Sequence, residues 1–170
     1  MQRLIPHVIA ALAVLALAAP AAAQQTVFVV RHAERADSTP GAKPTMAADP
    51  DLSEAGRARA ESLATALKDA GIVAIFTTEF KRTQQTAEPL AKALGLTVKV
   101  VKGDAEASLV EQVAAAKGNV LVVGHSNTVP SVVKRLGVTT AVAVGDNEFD
   151  NLFIVTRGGG APSLLHLHYR

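Results

Sequence analysis

Cysteine and tryptophan are both absent from the 170-residue chain, and aromatic residues make up only 4% of it. The missing cysteines exclude disulfide bonds, but they leave the compartment open because a disulfide-free protein suits either an oxidising or a reducing environment. Hydrophobic residues nonetheless reach 49%. A core with so few rings must consist mainly of alanine, valine, leucine and isoleucine, which is typical of buried parallel strands and amphipathic helices.

An excess of one charge is also lacking. Lys and Arg together number 17 and Asp and Glu 15, with no long run of like charge. This balance argues against nucleic acid as a partner and favours a small molecule or a protein. The length fits one domain with a single core.

The amino-terminal segment has the features of a secretory signal. Arg3 precedes an apolar run at residues 8–19, and three alanines at 21–23 form a small-residue cleavage site. We therefore expect residues 1–23 to be a signal peptide and residues 24–170 to be a single exported domain, periplasmic or secreted, with no stable membrane association after cleavage. The alternative is an uncleaved anchor, although about 20 apolar residues are needed to span a bilayer.

The hydrophobic pattern of the remaining chain alternates between strands and helices. Short apolar runs predict strands at 27–30, 72–76, 97–101 and 120–123. Helical periodicity predicts helices after the N-cap Ser53, after Phe80, at 108–116 and around Pro130. Two runs at 152–156 and 163–169 flank a glycine-rich turn and predict a hairpin. The pattern indicates an α/β fold: a three-layer sandwich with a mostly parallel sheet, helices on both faces and a C-terminal antiparallel hairpin.

Two segments interrupt this pattern. Residues 33–51 contain four Pro or Gly residues and predict a long loop, which in a compact domain is usually functional or disordered. Pro89 lies in the middle of the helical face that follows Phe80. Because proline lacks an N–H group and clashes with the preceding turn, we expect two short helices there, with Pro89 in the first turn of the second.

Four side chains suited to phosphate follow predicted strands. Arg31 and His32 come after the first strand, Arg82 after the second, and His125 after the run at 120–123. The carboxyl ends of parallel strands lie along one edge of a sheet, so these groups should meet in one crevice. Arginine forks match phosphate oxygens, and imidazole can attack phosphorus. A helix amino terminus near Asn127 would add backbone N–H groups, and Asn127 is a candidate substrate-binding residue.

These residues also carry a resemblance to a known family. The blocks are VVRHAE at 29–34, LSEAGRARA at 52–60, TTEFKRTQQTA at 77–87 and VVGHSNTVP at 122–130. Together they resemble the histidine phosphatase superfamily, also called phosphoglycerate mutase-like. The resemblance implies that His32 is the phosphorylated nucleophile and that Arg31, Arg82 and His125 complete the phosphate pocket. It also implies hydrolysis of phosphomonoesters or protein phosphohistidine, without a metal or another cofactor.

One part of the family pattern is missing. Members that act on alkyl phosphates usually carry a glutamate after the strand that corresponds to residues 97–101. This segment reads VKGDAEAS here, so Asp104 and Glu106 are candidate proton donors, although either could simply begin the next helix, where acids suit the dipole. Compact members without the acid resemble protein phosphohistidine phosphatases, so the partner is expected to be a phosphorylated small molecule or a phosphoprotein.

Other functions stay open from the sequence. A non-catalytic phosphate-binding module would use the same pocket, and a phosphomutase is a further alternative. His166 and His168 alternate with leucines and so share one face of a strand. Such a pair can hold a metal ion, but a solvated edge-strand face is the expected interpretation. Glu34 could orient Arg31 or its loop, and Glu79 is expected to face solvent.

Overall fold

The computed structural model describes residues 24–38 and 49–170. The predicted signal peptide and the centre of the predicted long loop lie outside these residues. Within them, no helix is both long enough and apolar enough to cross a membrane.

A six-stranded sheet forms the middle layer. Its strands are β1 Gln25–Arg31, β2 Ile72–Thr77, β3 Val98–Val100, β4 Asn119–Gly124, β5 Asn151–Gly158 and β6 Gly160–His168. Their order across the sheet is β3-β2-β4-β1-β5-β6. The first four in that order are parallel, whereas β5 pairs antiparallel with both β1 and β6. The parallel sheet and the C-terminal hairpin are therefore confirmed.

Helices cover both faces of the sheet. They are α1 Glu54–Leu67, α2 Lys81–Leu94, α3 Glu106–Ala115 and α4 Thr128–Arg135, preceded by a short 3-10 turn at Ala36–Ser38. Alternate β1 side chains point to opposite layers: Val30 packs with the residues of α1 and α2, and Val29 packs with those of α3 and α4. The three-layer sandwich follows from this alternation and is also confirmed.

The expected break at Pro89 is wrong, because α2 runs unbroken through it. An interior proline costs about 3 kcal/mol through the lost hydrogen bond and the clash with the preceding turn. The apolar face on each side of Pro89 outweighs that cost. Thr86 and Ala87 before it, and Leu90 and Ala91 after it, are all buried, so splitting the helix would expose part of one continuous core face.

The segment at residues 32–34, which follows β1 and includes His32, packs against the start of α1. Ser53 caps α1 by accepting from the Gly56 N–H, and its own N–H donates to the Glu34 carbonyl over 2.9 Å. A Cβ added at Gly56 would lie 2.2 Å from the Glu34 carbonyl oxygen. Arg59 holds the Glu34 carboxylate through both oxygens. Glu34 therefore orients the loop after β1, and the block at 52–60 supports that loop.

Candidate active site

The His32 ring is buried at the carboxyl end of β1, with 4% of the residue exposed. Its backbone N–H donates to the Gly124 carbonyl at the end of β4, over 2.9 Å. Its Nδ1 lies 2.8 Å from the Ala33 carbonyl oxygen. A carbonyl can only accept, so Nδ1 carries the proton and Nε2 keeps a free lone pair.

The ring of His125 lies beside the ring of His32. The two centroids are 5.3 Å apart, with 64° between the ring planes. His125 follows β4, where its N–H donates to Thr128 Oγ1 at the start of α4. The site therefore joins the ends of two neighbouring parallel strands, as the sequence predicts.

A pair of threonine hydroxyls fixes the protonation of His125. Thr83 Oγ1 donates to the backbone carbonyls of Thr78 and Phe80, so the 2.9 Å contact between the two hydroxyls must be donated by Thr78. Thr78 Oγ1 then accepts from His125 Nε2 over 3.0 Å. A neutral His125 thus carries its proton on Nε2.

Arg31 is held by the loop before β5. Its Nη1 donates to the carbonyls of Gly145, Asp146 and Glu148 over 2.8, 2.9 and 3.2 Å. The guanidinium carbon also lies 4.1 Å from the centroid of the Phe149 ring. Arg31 Nε is buried and has no hydrogen-bond partner among the described residues.

Arg82, in the first turn of α2, has a similar arrangement. Its guanidinium carbon lies 4.3 Å from the centroid of the Phe80 ring, which in turn contacts the His125 ring edge-on at 5.4 Å. Asp49 Oδ1 lies 3.6 Å from Arg82 Nη1. Within the described part of the chain Arg82 Nε, like Arg31 Nε, is buried without a partner.

Burial and positive charge keep both histidines neutral. Burial is the main cause that lowers the pKa of His32 to about 3. The hydrogen bond to the Ala33 carbonyl acts in the opposite direction, whereas His125, Arg82 and Arg31 lower the pKa further. Burial and then Arg82 lower the pKa of His125 to about 4. The pKa values of Arg31 and Arg82 are also lowered by burial. Nε2 of His32 is therefore an unprotonated nitrogen at neutral pH.

The remaining candidates lie apart from these four residues. Asp104 is exposed between β3 and α3. Glu106 begins α3, and its Oε2 contacts Ser131 Oγ and Arg135 Nε on α4. Asn127 is exposed at the start of α4 and makes no side-chain capping bond. The structure thus brings Arg31, His32, Arg82 and His125 together and gives the three others no contact with them.

Sequence reasoning did not find the aromatic supports of the site. Phe80 and Phe149 each stack on one arginine, and each lies near one histidine. The sequence offered one signal: Phe80 is one of only five phenylalanines and lies two residues before Arg82. Phe149 is 117 residues from His32 along the chain, so only the fold brings the two together.

The paired histidines of β6 form no candidate metal centre within the described ranges. Their rings are 4.9 Å apart. His166 Nε2 lies 2.7 Å from Asn151 Oδ1, and His168 Nδ1 lies 3.1 Å from Asp150 Oδ1. Among residues 24–38 and 49–170, no group of three or more His, Cys, Asp or Glu side chains could hold a metal ion.

The chain belongs to the histidine phosphatase superfamily. Residues 27–111 match the profile of the histidine phosphatase superfamily (branch 1). This range contains Arg31, His32 and Arg82, whereas His125 lies beyond it and joins the site through the fold. No curated protein sequence shows significant similarity to the chain.

Solved structures with the same fold extend the likeness over most of the chain. The protein histidine phosphatase SixA, complexed with tungstate, aligns with a TM-score of 0.66 and 20% identity, covering 84% of this chain and 96% of that one. A mycobacterial glucosyl-3-phosphoglycerate phosphatase aligns with a TM-score of 0.66 and 15% identity, covering 86% and 99%. A protein named mycobacterial hydrolase 1 aligns with a TM-score of 0.63 and 16% identity, covering 84% and 100%. At these identities the likeness establishes the fold.

Proposed function

We propose that this protein is a phosphatase that hydrolyses phosphomonoesters or protein phosphohistidine through a phosphohistidine intermediate on His32, without a metal. The observation that carries this proposal is the state of His32. Its Nδ1 is fixed by the Ala33 carbonyl, and its pKa of about 3 leaves Nε2 unprotonated. A nucleophile must be deprotonated, oriented and close to groups that stabilise charge, and His32 meets all three conditions.

The arginines supply the complementary anion site. Arg31 Nε and Arg82 Nε are buried donors without a partner in the described part of the chain. An unsatisfied buried donor costs about 1–3 kcal/mol, and more when it is charged. An oxyanion that bound between them would accept from both, so the two donors favour phosphate over a neutral ligand.

In the first step His32 Nε2 attacks phosphorus and the bond to the leaving group breaks. The leaving group takes the electron pair of that bond. Positive charge develops on the imidazole, and the Nδ1–H bond to the Ala33 carbonyl stabilises it. Arg31 and Arg82 donate to the equatorial oxygens, whose spread charge characterises the loose transition state, while His125 beside them keeps its Nε2–H on Thr78.

In the second step water attacks the phosphohistidine. The P–N bond breaks, its electron pair returns to Nε2, and inorganic phosphate is released. The same two arginines stabilise the same equatorial oxygens, so one pocket serves both steps. No step requires a metal ion, because the guanidinium groups supply the positive charge.

The substrate class is proposed from chemistry and likeness together. The structural neighbours include a protein histidine phosphatase and a glucosyl-3-phosphoglycerate phosphatase, which represent the two classes in the proposal. A phosphorylated small molecule or a phosphoprotein is the expected partner. We also propose that the reaction takes place outside the cytoplasm, because residues 1–23 have the pattern of an export signal.

The test is turnover and trapping with the mature protein. A panel of aryl phosphates, alkyl phosphates and a phosphohistidine peptide should reveal catalytic release of inorganic phosphate. Rapid acid-free quenching with labelled substrate should place the label on His32, and His32→Asn should abolish both signals. Stoichiometric binding of phosphate without turnover would favour the phosphate-binding module, and label on another residue would refute the nucleophile.

A further inference from the structure

The mouth of the phosphate pocket is the place where a proton donor must lie. His32 is buried at the base of the site. In-line displacement puts the leaving oxygen on the side of phosphorus opposite the attacking nitrogen. A donor to that oxygen therefore has to be a partly exposed group on the rim rather than a buried one.

Glu79 occupies such a position at the end of β2. It lies between Thr78, whose hydroxyl bonds His125, and Phe80, whose ring supports Arg82. Thr78 is buried and Glu79 is exposed. The chain therefore passes from the interior of the site to its rim between these two residues. The negative charge of Glu79 acts on both His125 and Arg82, opposing the lowering of their pKa values. The carboxylate therefore lies within electrostatic reach of two pocket residues.

One oxygen of Glu79 is fixed and the other is free. Gly103 donates its backbone N–H to Glu79 Oε2 over 2.8 Å. A Cβ at Gly103 would be 3.7 Å from this oxygen and 3.7 Å from Thr78 Cγ2, so the loop after β3 packs directly on Glu79. No hydrogen bond to Glu79 Oε1 is formed by any of the residues that the structure describes. The carboxyl group is thus held in place with one oxygen available.

Two other carboxylates that act on the arginines, Asp49 and Glu34, are engaged elsewhere. Both oxygens of Asp49 accept from the Lys81 N–H, and Oδ1 also faces Arg82. Glu34 is bound on both oxygens by Arg59. Each of these carboxylates has a structural contact that Glu79 Oε1 does not have.

The two acids expected from the sequence are less suitable. Glu106 Oε2 contacts Ser131 and Arg135 on α4. Asp104 is exposed and makes no hydrogen bond or ion pair within the described ranges. The β3–α3 loop instead contributes Gly103, whose backbone N–H binds the carboxylate of Glu79 in the turn between β2 and α2.

We propose that Glu79 is the proton donor to the leaving group, and that the substrates therefore include phosphate esters of ordinary alcohols. The proposal rests on the proposed function. The ester binds as its monoanion, and its phosphate proton passes to the ionised Glu79. As His32 Nε2 bonds to phosphorus and the P–O bond breaks, this proton moves from Glu79 to the leaving oxygen, which departs as the alcohol. Glu79, ionised again, takes a proton from the water that attacks the phosphohistidine and returns it to the phosphate that is released, so atoms and charge balance over the cycle.

The experiment compares kcat/KM for a nitrophenyl phosphate and a simple alkyl phosphate. Glu79→Gln keeps an oxygen that can accept from Gly103 N–H but removes the acidic proton. Loss of a general acid costs roughly 10²–10⁴-fold where the leaving group needs a proton. We expect such a loss on the alkyl phosphate and little change on the nitrophenyl phosphate. Glu88→Gln, on the exposed side of α2, is the matched control and should leave both values unchanged.

The outcomes separate this inference from the proposed function. If Glu79→Gln lowers kcat/KM equally on the two esters, Glu79 is not the proton donor and its role is structural. If Asp104→Asn instead lowers kcat/KM on the alkyl phosphate more than on the nitrophenyl phosphate, the proton-donor role of Glu79 is also overturned. In either case labelled phosphate on His32 and turnover of the nitrophenyl ester would still support the phosphatase. A wild-type protein that hydrolyses the nitrophenyl ester but not the alkyl ester would overturn the inferred substrate class and, with it, the proton-donor role of Glu79. Failure of the wild type on every ester and on phosphohistidine would overturn both proposals.

Discussion

The neutral state of His32 predicts a specific dependence of stability on pH. The pKa of this ring is about 3 in the folded protein, against about 6.5 for an unperturbed histidine. As the pH falls below 6.5 the unfolded chain takes up a proton that the native state does not. The free energy of unfolding therefore falls, and the fall continues until the pH reaches the folded pKa.

The size of this effect follows from linkage. Between pH 8 and pH 5 an unfolded histidine gains nearly one proton, while a folded ring of pKa about 3 gains almost none. At 1.36 kcal/mol per pKa unit over about 1.5 units, His32 should cost the native state about 2 kcal/mol at pH 5. The ring is buried, so solvent screening reduces this figure little.

The assay is denaturant unfolding of the wild type and His32→Asn at pH 8 and pH 5 in phosphate-free buffer. The asparagine amide can still donate to the Ala33 carbonyl but does not titrate. We expect the variant to lose about 2 kcal/mol less than the wild type between the two pH values, since all other titrating groups cancel in the comparison. An equal loss in both proteins would mean that His32 takes up its proton in the folded state, and the argument for a neutral nucleophile would fail.

The remaining predictions concern the pocket, its support and the amino terminus. Arg82→Lys should lower kcat/KM by roughly 10²-fold, because an ammonium group cannot replace the planar guanidinium fork. Arg135→Lys on α4 is the control and should have little effect. Steady-state kinetics of the two variants checks this prediction. Gly56→Ala should destabilise the protein by about 1–3 kcal/mol or more in thermal or denaturant unfolding, because its Cβ would lie 2.2 Å from the Glu34 carbonyl oxygen. Gly159→Ala, where no atom lies within 4 Å of the added Cβ, is its control, and equal destabilisation of the two would contradict the close approach. Export should remove residues 1–23, so that amino-terminal sequencing finds Gln24 first; a mature protein that retains residues 8–19 would contradict this prediction.

The sequence predicted the fold because its local patterns agree with the packing. Strands at 27–30 and 120–123 are short apolar runs, and β1 and β4 are indeed neighbours in the centre of the sheet. The position of Arg31, His32, Arg82 and His125 after strands then determines that they meet, because parallel strands end at the same edge. No knowledge of side-chain orientation is needed for that step. The signal peptide stays a prediction, since it lies outside the described residues.

Other features depended on tertiary contacts that local patterns do not contain. The rule that proline ends a helix failed at Pro89 because the core face of α2 continues on both sides of it. The carbonyls that hold Arg31 come from a loop 114–117 residues away. Glu79 was expected to face solvent, and it is exposed, but the backbone N–H of Gly103 in the β3–α3 loop donates to its carboxylate. In each case the decisive partner is distant in sequence.

Different elements position the nucleophile and the two arginines of the pocket. β1, β4 and α1 fix the buried nucleophile through backbone hydrogen bonds and the close approach at Gly56. Phe149 and Phe80 support the two arginines, and Nε of each arginine is buried without a partner in the described residues. Unsatisfied buried donors are unfavourable in the free protein, and binding of a phosphate group removes that cost. The two unpaired donors therefore contribute to the affinity of the site for an anion. Glu79, on the rim, is placed to act on the group that the phosphate carries.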